Sequence, residues 1–215
     1  MIYEARTFRL KDGQVALFRS PVLADAAQML EYLKTTAGET EFVIRYPEGC
    51  TESEAQETKF LQSIIDSPIN LMIVCEINGQ IAGSCQLALH GRIKTRHRAG
   101  IAIALKREFW GPGIGTSMLE EMIRIAKEHH IIQLELEVIQ GNVRAMALYW
   151  KMGFDVVAAK PDAIRLKDGT LLDEYIMMKK IIAKGLRKTP KPFPVIHYLP
   201  AFSAFLAALA FALAS

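Results

Sequence analysis

The chain has no cysteine framework. Its 215 residues include three cysteines, Cys50, Cys75 and Cys85. Their number is odd and no Cys-x-x-Cys spacing occurs, which weighs against a disulfide scaffold and a zinc site and suits free thiols in a reducing cytosol. For each thiol, the reading as a small buried apolar residue stands beside that of a catalytic group. An excess of one charge is also missing. The formal net charge is +3, and no Lys/Arg block is interleaved with stacking aromatics, so nucleic acid is not an expected partner. The first eleven residues are charged and alternating, without the apolar core of a signal peptide. Internal repeats are absent too. What remains is a globular composition, 51% apolar and 23% charged, at a length that suits one domain with a full core.

Turn residues divide the chain. Alternating runs over 3–20 flank Asp12-Gly13 and predict a hairpin closed by Pro21. Apolar spacing at Ala27, Leu30 and Leu33 predicts a helix over 24–36. Residues 37–50 read as irregular. Thr51-Glu52-Ser53-Glu54 offers a cap and first-turn acids for a second helix that stops near Asp66, before Pro68. Residues 71–77 and 80–89 around Asn78-Gly79 make the clearest hairpin. A basic turn follows at 90–98 (His90, Arg92, Lys94, Arg96, His97, Arg98). Residues 99–105 are uncharged and apolar on both faces, as in a sheet interior. Ile132, Leu134, Leu136 and Val138 alternate with Gln133, Glu135 and Glu137, which predicts a strand. Asn142 caps a helix over 143–152 that Gly153 ends. Strands at 154–159 and 172–180 join through Asp168-Gly169.

Between the apolar strand and the helix predicted over roughly 115–130 lies Phe109-Trp110-Gly111-Pro112-Gly113-Ile114-Gly115-Thr116. Alternate glycines let a backbone approach an anion and take positive φ. The helix beginning there presents unpaired N–H groups and the positive end of its dipole. The order strand, glycine loop, helix therefore fits a pyrophosphate cradle. A tight strand-to-helix connection is the simpler alternative.

Two segments resemble one family. Trp110-Gly111-Pro112-Gly113-Ile114-Gly115 is similar to the acetyl-CoA loop of GNAT superfamily N-acetyltransferases, (R/Q)-x-x-G-x-(G/A), with Trp110 where Arg or Gln is usual. Asn142-Val143-Arg144-Ala145-Met146-Ala147-Leu148-Tyr149-Trp150-Lys151-Met152-Gly153-Phe154 resembles N-x-x-A-x-x-L-Y-x-K-x-G-F at every fixed position. The resemblance covers about 14–180. It implies an α+β fold (α/β in some schemes): a mixed, mostly antiparallel, twisted sheet of about seven strands with helices on both faces. It further implies acetyl-CoA as co-substrate, a primary-amine acceptor and no metal. The donor would meet the amides of Gly111, Gly113, Ile114, Gly115 and Thr116, with Trp110 in the same loop. The pantetheine arm would lie along Ile103, Ala104 and Leu105 where two strands splay, near Asn142, Ala145 and Tyr149.

Amine acetylation passes through a tetrahedral intermediate and expels a thiolate, which a nearby phenol can protonate. The resemblance puts that acid at Tyr149; a core tyrosine is the alternative reading. The base is less defined. Arg98 occupies a slot where some relatives carry Glu, and a guanidinium is no base. Glu137 is the named candidate, with Glu135, His90 and His97 as others.

A domain over 1–182 is thus followed by a basic, proline-rich linker at 183–200 and an apolar tail at 201–215. Fourteen helical residues at 201–214 would reach about 21 Å against a hydrocarbon core of about 30 Å. Weak membrane association through 201–214 and a homodimer stand as alternatives for an enzyme expected in the cytoplasm. The competing function is a non-catalytic acyl-CoA sensor or interaction module on the same fold. A dinucleotide-binding protein fits less well, because the acidic residue and parallel strands expected after such a loop are missing. Loops 37–50, 90–98 and 160–170 are the expected acceptor contacts. The basic turn suggests an acidic acceptor or the 3′-phosphate of CoA.

Overall fold

The computed structural model describes residues 1–181. The linker and tail read at 183–215 lie outside them. Two helices, α1 (Ala26–Glu39) and α2 (Glu54–Asp66), follow a first hairpin of β1 (Arg6–Arg9) and β2 (Val15–Arg19). Then come β3 (Asn70–Ile77), β4 (Gln80–Leu89), β5 (Arg98–Leu105), α3 (Ile114–Glu128), β6 (Gln133–Ile139), α4 (Val143–Lys151), β7 (Asp155–Arg165) and β8 (Leu171–Lys180). The strands form one sheet in the order β1-β2-β3-β4-β5-β6-β8-β7. This is eight strands rather than about seven. Only β5 and β6 run parallel; every other neighbouring pair is antiparallel. The class is α+β, as the resemblance implied.

Strand alternation builds two cores. Leu71, Ile73, Cys75 and Ile77 of β3 face Met118, Leu119 and Met122 of α3 and Met146 of α4. Met72 and Val74 face Ala26, Met29 and Tyr32 of α1 and Leu61 of α2. Helices therefore cover both faces. Asn78 and Gly79 both take positive φ, 51° and 78°, as a two-residue type I′ hairpin requires.

Several local details depart from the sequence reading. Helix α1 buries Ala26, Met29, Tyr32, Thr36 and Ala37, one position out of phase with the expected Ala27, Leu30 and Leu33. The larger side chains Met29 and Tyr32 take the core, and the Tyr32 hydroxyl finds a polar partner there. Helix α2 starts at Ser53 rather than Thr51: Ser53 Oγ accepts from the Gln56 amide and Gln56 Oε1 accepts from the Ser53 amide, a reciprocal cap. Strand β7 runs well past residue 159 to Arg165, through Pro161 and two register shifts. An edge strand tolerates the missing proline N–H.

Candidate active site

The sheet opens at its centre. Pairing between β5 and β6 ends at Gly100 and Glu135, yet β5 continues to Leu105 and β6 to Ile139. On its other side β5 stays paired with β4 up to Leu105 opposite Gly83. The amide of Lys106 donates to Ala82 O at 2.9 Å, which sets the phase. Alternate residues Ala102 and Ala104 therefore bond toward β4, while the backbones of Ile103 and Leu105 turn to the gap. The strand is interior, as expected, between β4 and β6; Ala102 is nevertheless exposed and residues 103–105 are half-buried, because the gap removes their neighbour. A cavity of about 550 Å³ occupies the opening.

The glycine loop closes one end of it. Gly113 caps α3 at φ +102°, a conformation that a Cβ would strain. The Lys11 amide, at the tip of the first hairpin, donates to Pro112 O at 3.1 Å and holds the loop. The amides of Ile114, Gly115 and Thr116 begin the helix and have no intrahelical acceptor. Trp110 does not lie loose beneath the loop. Its indole Nε1–H donates to Leu105 O at 2.9 Å. Arg107 and Arg144 flank the ring, 5.5 and 5.0 Å from its centroid. Trp110 thus ties off the end of β5 and also lines the cavity.

Helix α4 forms the next wall through Asn142, Arg144, Ala145, Leu148 and Tyr149. The Asn142 side chain accepts from the Ala145 amide at 3.2 Å, so the N-cap reading holds. Among the described residues its amide N–H groups make no hydrogen bond, and they can serve the cavity. A Cβ on Gly115 would stand 3.0 Å from Leu148 Cδ2, so α3 and α4 meet closely there. Tyr149 is 7% exposed and lines the cavity. Among the described residues its hydroxyl makes no hydrogen bond, whereas Tyr3 donates to Glu121 and Tyr32 to Ala104 O. Burial alone pushes the Tyr149 phenol up to about 12.

The opposite wall comes from Thr36, Thr40 and the loop residues Phe42, Val43 and Ile44, with Glu137 of β6 and Glu174 of β8. Lys160 of β7 donates to Glu137 Oε1 at 2.6 Å and to Glu174 Oε2 at 2.8 Å. Glu137 is half exposed and Glu174 is buried. The sequence reading missed Glu174. Beside Asp173 in a mixed strand it gives no distinct signal, and the pairing of β8 with β6 is what brings it to Glu137. Glu135 is held by Arg98 in a two-point ion pair, where β5 and β6 are still joined. That contact depresses the Glu135 carboxyl, and it lies outside the cavity lining. His90, His97 and the rest of the 90–98 turn also lie outside the lining. They precede β5, at the far end of that strand from the glycine loop. Cys75 and Cys85 are core residues whose thiols burial pushes up, so neither is a poised nucleophile.

Comparison with known proteins fits this geometry. The model of the acetyltransferase (GNAT) family matches residues 36–154. The chain belongs to the GNAT acetyltransferase family. A solved GNAT-family acetyltransferase from Streptococcus pneumoniae superimposes with a TM-score of 0.72 at 28% identity, over 77% of this chain and 99% of that one. A GNAT superfamily phosphinothricin acetyltransferase from Sinorhizobium meliloti, in complex with acetyl-CoA, gives 0.67 at 21% identity over 85% and 96%. A Bacillus subtilis (strain 168) protein described as a candidate ribosomal-protein alanine N-acetyltransferase is 30% identical over 95 residues, 44% of this chain and 60% of the relative. The chain thus spans less than two thirds of the curated relatives that it matches.

The GNAT donor can be tested against these residues. Acetyl-CoA needs an anion cradle, an extended slot with open backbone groups and room for a thioester. The unpaired amides of α3, the gap-facing backbone of Ile103 and Leu105, and the cavity beside Tyr149 meet those needs. One expected contact is already engaged: Trp110 Nε1 holds the Leu105 carbonyl, which leaves the Leu105 amide as that residue's open group. Among the described residues no helix is long and apolar enough to cross a membrane.

Proposed function

We propose that this GNAT-family protein transfers the acetyl group of acetyl-CoA directly to a primary amine. The observation that carries the proposal is Tyr149: its side chain is largely buried, yet its hydroxyl opens onto the cavity and has no hydrogen-bond partner among the described residues. Buried tyrosines that only pack find partners for their hydroxyls. One left free beside an anion cradle is a proton donor awaiting a ligand. Acetyl-CoA supplies the activated acetyl thioester. Gly111, Gly113, Ile114, Gly115 and Thr116 bind its phosphates, while Ile103, Leu105, Asn142 and Ala145 align its arm. Ala104, whose carbonyl bonds to Tyr32, and Trp110 shape the slot from behind.

In the transfer, a nitrogen–carbon bond forms and the carbon–sulfur bond breaks. Tyr149 hydrogen-bonds to the departing sulfur and supplies its proton. The ammonium sheds two protons on becoming the amide: one leaves toward the Glu137 side of the cavity, directly or through water, and the other restores the Tyr149 phenol. Incubation with acetyl-CoA and a panel of amines tests this. Amine-dependent thiol release supports it. Tight acetyl-CoA binding with no release from any amine would instead make the protein a sensor.

A further inference from the structure

Three charged side chains among the described residues line the cavity, and they are segregated. Arg144 lies at the end formed by the glycine loop and the start of α4. Glu137 and Glu174 lie on the opposite wall. Lys160 bridges the two carboxylates and cancels one of their two charges, so one net negative charge remains. Glu174 uses one oxygen on Lys160; among the described residues its Oε1 makes no hydrogen bond, and neither does Glu137 Oε2. Open carboxylate oxygens at a cavity wall suit an ammonium, which brings three donors.

Beyond the acids, that wall carries Thr36 and Thr40, whose hydroxyls are engaged with backbone, and an apolar strip. Phe42 packs over Gly141, where a Cβ would stand 3.4 Å from its ring. Val43 and Ile44 continue the surface, and Ile44 is 75% exposed. The loop that carries them is held at its far end. There the Lys167 amide donates to Tyr46 Oη at 3.1 Å, the Lys167 ammonium lies 4.3 Å from the Tyr46 ring centroid, and Lys167 pairs with Glu48. Among the described residues this wall offers no free cation for an acceptor carboxylate: Lys160 is held by Glu137 and Glu174, and the basic 90–98 turn lies outside the cavity. It also offers few polar partners for a sugar's hydroxyls.

We infer that the acceptor is a cationic primary amine on an apolar body, its ammonium met by Glu174 and Glu137 and its apolar part lying on Phe42, Val43 and Ile44. This rests on the acetyl-transfer reading above. A free arylalkylamine and a peptide whose first residue is apolar share this chemistry. Acidic amino acids, aminoglycosides and polyamines do not: the first find no free cation, the second bury hydroxyls unpaired, and the third bring two or more ammoniums to a wall with one net negative charge.

The test uses the full-length chain and acetyl-CoA. Thiol release is measured with an arylalkylamine, a Leu-initiated peptide, glutamate, an aminoglycoside and spermidine. The expected kcat/KM for one of the first two exceeds each of the others by at least about tenfold, and which of the two leads tells a free amine from a peptide terminus. Glu174→Gln should raise the amine KM by about tenfold or more while leaving the acetyl-CoA KM within about twofold. Calorimetric binding of the same amine in the presence of CoA should weaken in parallel. Unchanged acetyl-CoA binding shows that the variant is folded; Phe42→Ala, which touches no charge, should weaken only the apolar acceptors. Preference for spermidine, glutamate or the aminoglycoside, or an unchanged amine KM in Glu174→Gln, would overturn the inference and leave acetyl transfer standing. No acetylation of any amine, with acetyl-CoA bound, would overturn the transfer reading itself.

Discussion

Replacing Tyr149 with Phe separates chemistry from packing. The substitution removes one hydroxyl that, among the described residues, bonds to nothing. It leaves no orphaned partner, so unfolding free energy should stay within about 0.5 kcal/mol of the parent or rise slightly. Turnover should respond very differently. Loss of a positioned general acid costs about 10²–10⁴ in rate, or about 3–5 kcal/mol in the barrier. Acetyl-CoA affinity should not change, since the cradle lies on α3. The pH dependence adds a second signature. Burial raises the folded phenol to about 12, above its unfolded value near 10. The associated stability is complete below about pH 10 and is lost as pH rises toward 12, by about 3 kcal/mol in all. The Phe variant lacks that part of the alkaline loss. Thiol-release kinetics, acetyl-CoA calorimetry and urea unfolding between about pH 9 and 12 read the three effects. A kcat within about twofold of the parent, or a stability loss above about 1 kcal/mol, would refute the reasoning and return Tyr149 to the core.

Other substitutions probe the frame. Tyr32→Phe removes a hydroxyl that donates to Ala104 O at 3.0 Å and accepts from Ser84 at 3.1 Å; urea unfolding should show a cost of about 1–3 kcal/mol, opposite to Tyr149. Asp25→Asn breaks the buried pair with Arg19, whose two nitrogens lie 2.7 and 2.9 Å from the carboxylate, and should cost about 3 kcal/mol at neutral pH. Burial pushes the Asp25 carboxyl up, but bonds from Arg19 and the Val22 amide outweigh it and the folded group titrates low. The parent should therefore lose this stability as pH falls below about 4, and the variant should lack that acid limb. Glu135→Gln should leave kcat within about twofold, because Glu135 is engaged by Arg98 outside the cavity; a large fall would move the base to Glu135.

What the sequence disclosed follows from what side-chain pattern encodes. Asn78-Gly79 specifies its turn through backbone sterics, so that hairpin was legible. The 142–154 segment combines a cap, a helix face and a closing glycine within thirteen residues, all local, and its cap is observed. The gap between β5 and β6 was not legible from periodicity, because a strand's side chains alternate whether or not its edge is paired. The family resemblance implied it. Glu174 was invisible for a related reason: strands far apart in sequence bring it beside Glu137. The phase of α1 was misread because Tyr32 carries a polar atom that the core happens to accommodate. Trp110 departs from the family pattern and was left open; its N–H turns out to serve the strand end.

The most direct measurement follows both products. The full-length chain is incubated with acetyl-CoA and an apolar primary amine, and free thiol and acetylated amine are counted together. Acetyl transfer predicts that they appear in equal amounts, that neither appears without the amine, and that both fall about a hundredfold in Tyr149→Phe. Bound acetyl-CoA with no acetylated product from any amine, or thiol release that ignores the amine, would contradict it.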